Sequence, residues 1–390
     1  MTSEPRFDFD PDAPEFQEDP FPTYQRLRDL GPAVRNEARG FWAIGRHPDV
    51  KAALLQPQLF SSQRAFGDGQ HVPQGMIVLM DPPLHDEMRA LVNRAFTPRR
   101  VASLEPRIRD IATGLIDGFA KAGACDLWQD FAAPLPTIVI SELLGVPPED
   151  RELFKEYSTR IASSVRPGGD AQGNTAGLEL TAYLAKAFEE KRRHPGDDLM
   201  SALLAAEVDG RKLSEEELAG FALLLLIAGN ETTTNLISNA AVLLDQFPDQ
   251  RARLVDGEVH IEDGVEEFLR LETPVQGLIR TVTEDVRLDD VVVPEGDQVY
   301  LVLASANRDS SVFPEAERFD VARQPNPHLG FGFGSHFCLG ASLARMEARV
   351  AWEELLRRIP DYRVSGATER LPSSIFRGLL SLPIEFTASG

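Results

Sequence analysis

Cysteine is nearly absent from this chain: Cys125 and Cys338 are the only two among 390 residues. They are too few and too far apart for a disulfide framework, a paired redox motif, a zinc finger or an iron–sulfur cluster. Long apolar runs are missing as well. The longest, Leu218 to Gly229, is twelve residues, against about 20 needed to cross a bilayer. Positive charge is in deficit, with 40 Lys and Arg against 61 Asp and Glu and a net charge of −21. That balance argues against nucleic acid or an anionic membrane as a general partner. The segment Met1 to Asp8 is acidic and has no apolar core, so neither a secretory signal nor a membrane anchor is read there. The expected location is the cytoplasm, and the expected state a monomer.

What is present is a chain that is 43% apolar, enough for a large core. Length alone would suggest two or three domains. No proline- or serine-rich linker, repeat or low-complexity tract divides it, so residues 1–390 read as one domain. Helical apolar spacing runs through Pro20–Arg28, Asp81–Phe96, Val101–Ala122, Pro148–Ser163, Leu178–Arg193, Asp198–Ala206 and Gly340–Ile359,. Strand-like runs occupy a hairpin from Val34 to Ile44, turning near Arg39-Gly40, and the stretch Val286 to Leu303,. The fold class is mainly α, with smaller β-rich parts near 32–45 and 275–303.

A helix from Ser214 to about Gln246 is the longest. Ser214 and Glu217 make a capping box, and Phe247-Pro248 stops it. Its middle is apolar all round, as in a helix buried through a core. Gly229-Asn230-Glu231-Thr232-Thr233-Thr234 then interrupts the pattern. Glycine in a helix interior costs about 1 kcal/mol against alanine, and buried polar groups are expensive unless satisfied. Such local violations mark functional sites.

The other informative stretch is Phe331-Gly332-Phe333-Gly334-Ser335-His336-Phe337-Cys338-Leu339-Gly340. A lone cysteine ends a glycine-laced loop where a helix begins. The helix dipole and unpaired N–H groups there are expected to lower its pKa and favour thiolate. One reading is a buried cysteine acting as a small hydrophobe. The other is a thiolate in an aromatic, glycine-rich pocket, which suits an axial ligand to haem iron. Gly330, Gly332 and Gly334 lack the GxGxxG spacing of a nucleotide-binding loop, and no strong strand leads into them.

This loop resembles the cysteine loop of the cytochrome P450 family, Phe-Gly-x-Gly-x-His-x-Cys-x-Gly, at every fixed position. The resemblance implies haem b as cofactor and the triangular helical prism as fold. It makes Cys338 the iron ligand, puts Phe331 and Gly340 beside it, and directs His336 to a haem propionate. Ala228-Gly229-Asn230-Glu231-Thr232 is similar to the family's oxygen-activation motif. There Ala228 and Gly229 leave room for dioxygen, Thr232 is the alcohol and Glu231 the acid of a proton relay. The alternative is a threonine bonded back to a carbonyl one turn earlier and a glutamate facing water. The family's acid is often aspartate; here it is glutamate. By the same resemblance His85, Arg89 and Arg280 contact the propionates, and Glu267, Arg270 and Arg323 form a structural triad. A solvent-facing pair is the other reading of His85 and Arg89, one helical turn apart.

The implied activity is haem-thiolate monooxygenation: hydroxylation or epoxidation of an apolar small molecule with O2. Electrons would come singly from a separate ferredoxin or flavin protein, since the chain has neither a cluster-binding cysteine set nor an appended flavin domain. A haem-thiolate sensor without oxygenase activity, or a peroxide-driven or isomerase variant, stays open. The substrate is expected against Ile227, Ala228, Val275, Leu278 and Phe376 or Leu379, and its identity stays open among steroids, terpenoids, fatty acids, polyketides and aromatics. Gln63–Ile77 and Ser163–Leu180, which carry glycines, read as mobile entrance loops. Arg89, Arg94, Arg99, Arg100, Arg107 and Arg109 read either as a solvated face or as a dock for an acidic electron donor.

Overall fold

The computed structural model describes residues 6–63, 74–150, 152–154, 156, 157, 160 and 171–388. In chain order the helices that matter for the site are α1 (Phe21–Leu30), α2 (Leu84–Ala95), α3 (Glu105–Phe119), α4 (Pro134–Leu144), α5 (Ala171–Arg193), α6 (Leu199–Ala205), α7 (Glu215–Gln246), α8 (Ile261–Leu271) and α9 (Ala341–Arg358). The principal sheet has strands β1 (Val34–Asn36), β2 (Phe41–Ile44), β3 (Phe60–Ser61), β4 (Leu278–Val282) and β5 (Gln298–Leu301), in the spatial order β1-β2-β5-β4-β3. Among the described residues no helix is long and apolar enough to cross a membrane.

The long helix α7 is the axis of the fold. Ser214 accepts from the Glu217 amide at 3.1 Å while the Glu217 carboxylate accepts from the Ser214 amide at 2.9 Å, so the expected capping box is formed. Helical pairing runs unbroken to Gln246. The Gly229–Thr234 stretch therefore changes the chemistry of the helix without ending it. Helices α4, α5 and α9 pack against α7, and α9 also packs on α3 and α8. Phe221, Leu226, Leu236, Ile237 and Leu244 of α7 are buried in one apolar cluster with Phe131, Phe268 and Trp352.

Several expected boundaries shift for local reasons. Val101–Ala122 is two helices: Thr97 caps a short one, Pro98–Ala102, and Pro106 in the first turn of α3 restarts the chain,. Pro148–Ser163 begins as a single 3-10 turn at Pro148–Asp150, and the described residues beyond it, 152–154, 156, 157 and 160, are helical as expected. Helix α5 begins at Ala171, so residues 171–180 are helical where a loop was expected. Ala176, Leu180, Leu184 and Phe188 are buried at four-residue spacing, and that packing outweighs the helix cost of Gly173 and Gly177. The other parts of the two expected entrance loops, residues 64–73 and 163–170, lie outside the described residues.

The sheet builds one wall of the site. Val34 faces Ala43 across the expected hairpin, Phe41 pairs in parallel with Gln298, and Leu278 pairs antiparallel with Leu301. Side chains alternate along β4, so Leu278 and Arg280 share a face.

The expected triad is formed. The Arg270 Nε and Nη2 groups donate to the two Glu267 oxygens at 2.7 and 2.8 Å, and Arg323 Nε donates to Glu267 Oε1 at 3.1 Å. Arg270 also donates to the carbonyls of Asn307, Ala316 and Arg318. Glu267 and Arg270 are both 0% exposed. Removing one partner leaves a buried charge alone, at a cost of about 3–5 kcal/mol. Glu267→Gln is expected to lower the chemical denaturation free energy by about that amount, and a loss below about 1 kcal/mol would contradict this account.

Candidate active site

The two informative stretches of the sequence meet at one cavity of about 280 Å3. Helix α7 supplies its longest wall. Phe221, Leu224, Leu225, Ala228, Gly229 and Thr232 line it, at the i, i+3, i+4 recurrence of a single helix face. A Cβ added at Gly229 would meet only the Ile140 side chain, at 3.5 Å. Protein packing alone does not demand glycine there, and the space gained is in the cavity. The Thr232 hydroxyl donates to the Ala228 carbonyl at 2.5 Å, so the back-bonded conformation occurs even though the residue faces the cavity. Glu231 is buried, at 4% exposure, and sits off the cavity wall instead of facing water.

The cysteine loop lines the same cavity. Gly334 has φ 72°, and a Cβ on it would fall 2.8 Å from the Leu54 carbonyl oxygen, so glycine is required there twice over. The Cys338 amide donates to the Phe331 carbonyl at 3.0 Å, closing the loop just before α9. Phe331, His336, Cys338 and Gly340 all line the cavity. The thiol departs from the sequence expectation. Burial pushes its pKa up, and the Gly340 amide, Arg89 and Arg345 only partly offset this. Desolvation outweighs the donors at the helix start; a metal cation at the sulfur would act the other way, since it deprotonates a coordinating thiol outright.

One rim of the cavity is crowded with basic groups: His85, Arg89, Arg280 and His336. The rings of His85 and His336 lie 4.1 Å apart. His85 is buried and bonds through Nδ1 to Asp86 at 2.8 Å, which excludes the solvent-facing alternative. Arg89 donates to the carbonyls of Ser335 at 3.0 Å and Phe337 at 2.7 Å. Burial pushes the Arg280 guanidinium down to about 10, with Asp81 pulling it back. Burial, then the positive fields of Arg280, His85 and Arg89, drive His336 down to about 3. Such a rim suits an anion.

Comparison with known proteins agrees with this geometry. The cytochrome P450 family profile matches residues 261–384. The vitamin D(3) 25-hydroxylase of Pseudonocardia autotrophica is 43% identical over 385 residues, covering 95% of this chain and 94% of that protein. The chain belongs to the cytochrome P450 family. Among solved structures, cytochrome P450 CYP109Q5 of Chondromyces apiculatus superposes with a TM-score of 0.91 at 42% identity, covering 98% of this chain and 99% of that one. CYP109E1 of Bacillus megaterium, solved in complex with testosterone, does so with a TM-score of 0.86 at 39% identity over 95% and 99%.

As a cytochrome P450 the chain is an oxidoreductase of a family that carries haem b, and its fold is the P450 fold expected from the cysteine loop. The residues fit that cofactor. A flat apolar body suits the cavity, a thiol suits iron, and the four basic groups of the rim suit two carboxylates.

Three expected substrate contacts are not where the sequence put them. Ala228, Val275 and Leu278 line the cavity, whereas Ile227, Phe376 and Leu379 do not. Ile227 is one position round the helix from Ala228 and packs into the main core. Phe376 pairs by its backbone with Val275 but lines a separate small cavity with Tyr24 and Arg377. Leu379 is a core residue at 1% exposure. The residues that were missed, Leu224 and Leu225, carry the same helical spacing as Ala228.

Half of the basic run is paired in place. Arg107 pairs with Glu142, Arg109 with Glu105, Glu353 and Glu354, and Arg100 with Asp197. Arg89 is held by carbonyls of the cysteine loop.

Glu347 was also missed. Gly340, at the N-cap of α9, and Leu343, Ala344 and Glu347 within it line the cavity, and that i, i+3, i+4, i+7 spacing was the available signal. The carboxyl is 3% exposed, its Oε2 has no hydrogen-bond partner, and burial pushes its pKa from 4.5 up to about 8. Between those values the unfolded chain has released a proton that the native state retains, so stability falls as pH rises. Glu347→Gln is expected to gain thermal stability over the parent progressively from about pH 5 to about pH 8,. Melting curves with the same offset at both pH values would contradict this.

Proposed function

We propose that this protein is a monooxygenase that inserts one oxygen atom of O2 into a neutral, apolar, steroid-sized molecule. Electrons are drawn one at a time from a separate ferredoxin or flavin protein. The observation that carries the reading is that the Cys338 thiol and the Thr232 hydroxyl open on one cavity whose rim is basic and whose α7 wall is apolar. Two relatives support the substrate class, one named for hydroxylating vitamin D(3) and one solved with testosterone.

In this reading Cys338 holds the haem iron, and His85, Arg89, Arg280 and His336 hold its carboxylates. When bound, haem supplies O2 binding and cleavage, and a thiolate ligand favours O–O cleavage. The chain supplies position and protons. Phe221, Leu224, Leu225, Val275 and Leu278 exclude water and orient an apolar substrate through contact alone. The Thr232 hydroxyl, now donating to the Ala228 carbonyl, can rotate to present its proton to the cavity. Glu231, adjacent and buried, restores that proton.

Three measurements test this. Reduced protein under carbon monoxide should show the long-wavelength band of thiolate-ligated haem, and Cys338→Ala should abolish it. In Thr232→Ala, electron consumption should continue while product falls and hydrogen peroxide appears; unchanged coupling would point to a haem protein without oxygenase activity. Leu225→Phe should weaken the substrate-induced spectral shift roughly tenfold, because overpacking a contact costs about 1–3 kcal/mol. Ile227→Phe should leave it unchanged.

A further inference from the structure

Glu266 stands next to the buried Glu267 on α8 and is bonded to different partners. Arg345 of α9 donates Nε to Glu266 Oε1 at 2.7 Å and Nη2 to Oε2 at 2.9 Å. His328 Nε2 lies 3.1 Å from the same Oε2. The Gly330 amide donates to His328 Nδ1 at 3.1 Å, so Nε2 carries the ring proton and donates to Glu266. The Arg345 guanidinium stacks over the Phe331 ring, 4.5 Å from its centroid, and the His328 ring approaches the same phenyl at 6.1 Å. Phe331 in turn accepts the Cys338 amide.

The fit is close. A Cβ at Gly330 would fall 3.1 Å from both His328 Nδ1 and the Leu269 carbonyl oxygen. Burial raises the Glu266 carboxyl, but His328 and Arg345 more than reverse this, to about 2, so it is ionised at any working pH. Arg345 is also one of two cations whose field favours the Cys338 thiolate.

We infer that Glu266, Arg345 and His328 form a charge clasp that fixes Phe331, and with it the start of the cysteine loop, and, through Arg345, sets the reduction potential of the group Cys338 holds. The inference rests on Cys338 being the haem ligand. The step concerned adds one electron, from an external one-electron donor, to ferric iron. The sulfur stays bound and no proton moves. A positive charge beside the sulfur stabilises the product of that step, and Glu266 cancels part of it. Glu266→Gln should therefore raise the potential and Arg345→Gln should lower it. Both changes break the same ion pair, so a purely structural clasp would disturb the loop alike in each and could not give opposite signs.

The test is a spectroelectrochemical titration of the haem-loaded protein and both variants, with the carbonyl band recorded for each. Shifts in opposite directions, each at least threefold in the reduction equilibrium, are expected. Shifts in the same direction, or none beyond threefold, with the band intact, overturn the clasp alone. A parent protein lacking the band overturns the Cys338 assignment and the clasp with it. Should Glu266→Gln fail to retain haem, Arg345→Lys decides. It keeps the charge and should stay within threefold of the parent while Arg345→Gln falls. Equal falls in the two overturn the inference.

Discussion

An ion pair sealed from water, Glu267 with Arg270, fixes where the cysteine loop can run. A buried pair is tolerated only when its remaining hydrogen-bonding capacity is satisfied, and here the irregular chain between Asn307 and Asn326 satisfies it. Three carbonyls of that segment accept from Arg270, while the Asp320 amide, Arg323 and Asn326 donate to Glu267. A stretch with little regular structure of its own is thereby tied to α8 at many points. His328 follows it directly, bonded to the neighbouring Glu266, and the loop to Cys338 starts from there. The sulfur inherits its position from charges on one helix turn that never touch it.

The cavity follows from the same economy of elements. Helix α7 crosses the core with its apolar lining and the Ala228–Thr232 interruption on one face, so a single helix supplies both shape and chemistry. Strand β4 adds Leu278 and Arg280 through simple alternation, and α9 with its N-cap adds Gly340, Leu343, Ala344 and Glu347 through one-turn spacing. The basic rim is assembled from three separate parts of the chain, α2, β4 and the cysteine loop. None of these parts would be recognisable as an anion site by itself.

Much of this was legible in the sequence because it depended on local pattern. The capping box at Ser214, the stop at Phe247-Pro248 and the hairpin at Arg39-Gly40 are written in adjacent residues. The cysteine loop and the α7 motif carried the family with them. Rotational phase was not legible without a partner surface. Ile227 and Leu225 are equally apolar, and only the packing of α7 against α4 and α9 decides which one meets the cavity. Phe376 and Leu379 failed for a similar reason, since short irregular strands near the C-terminus give no alternation long enough to read. The Cys338 thiol was misjudged because sequence shows the donors at a helix start but not the depth at which they sit.

That depth also bears on how readily the sulfur reacts. Thiols oxidise as thiolates, and burial, by raising the Cys338 pKa, works against the form that peroxide attacks. The packing that positions the sulfur thus also shields it.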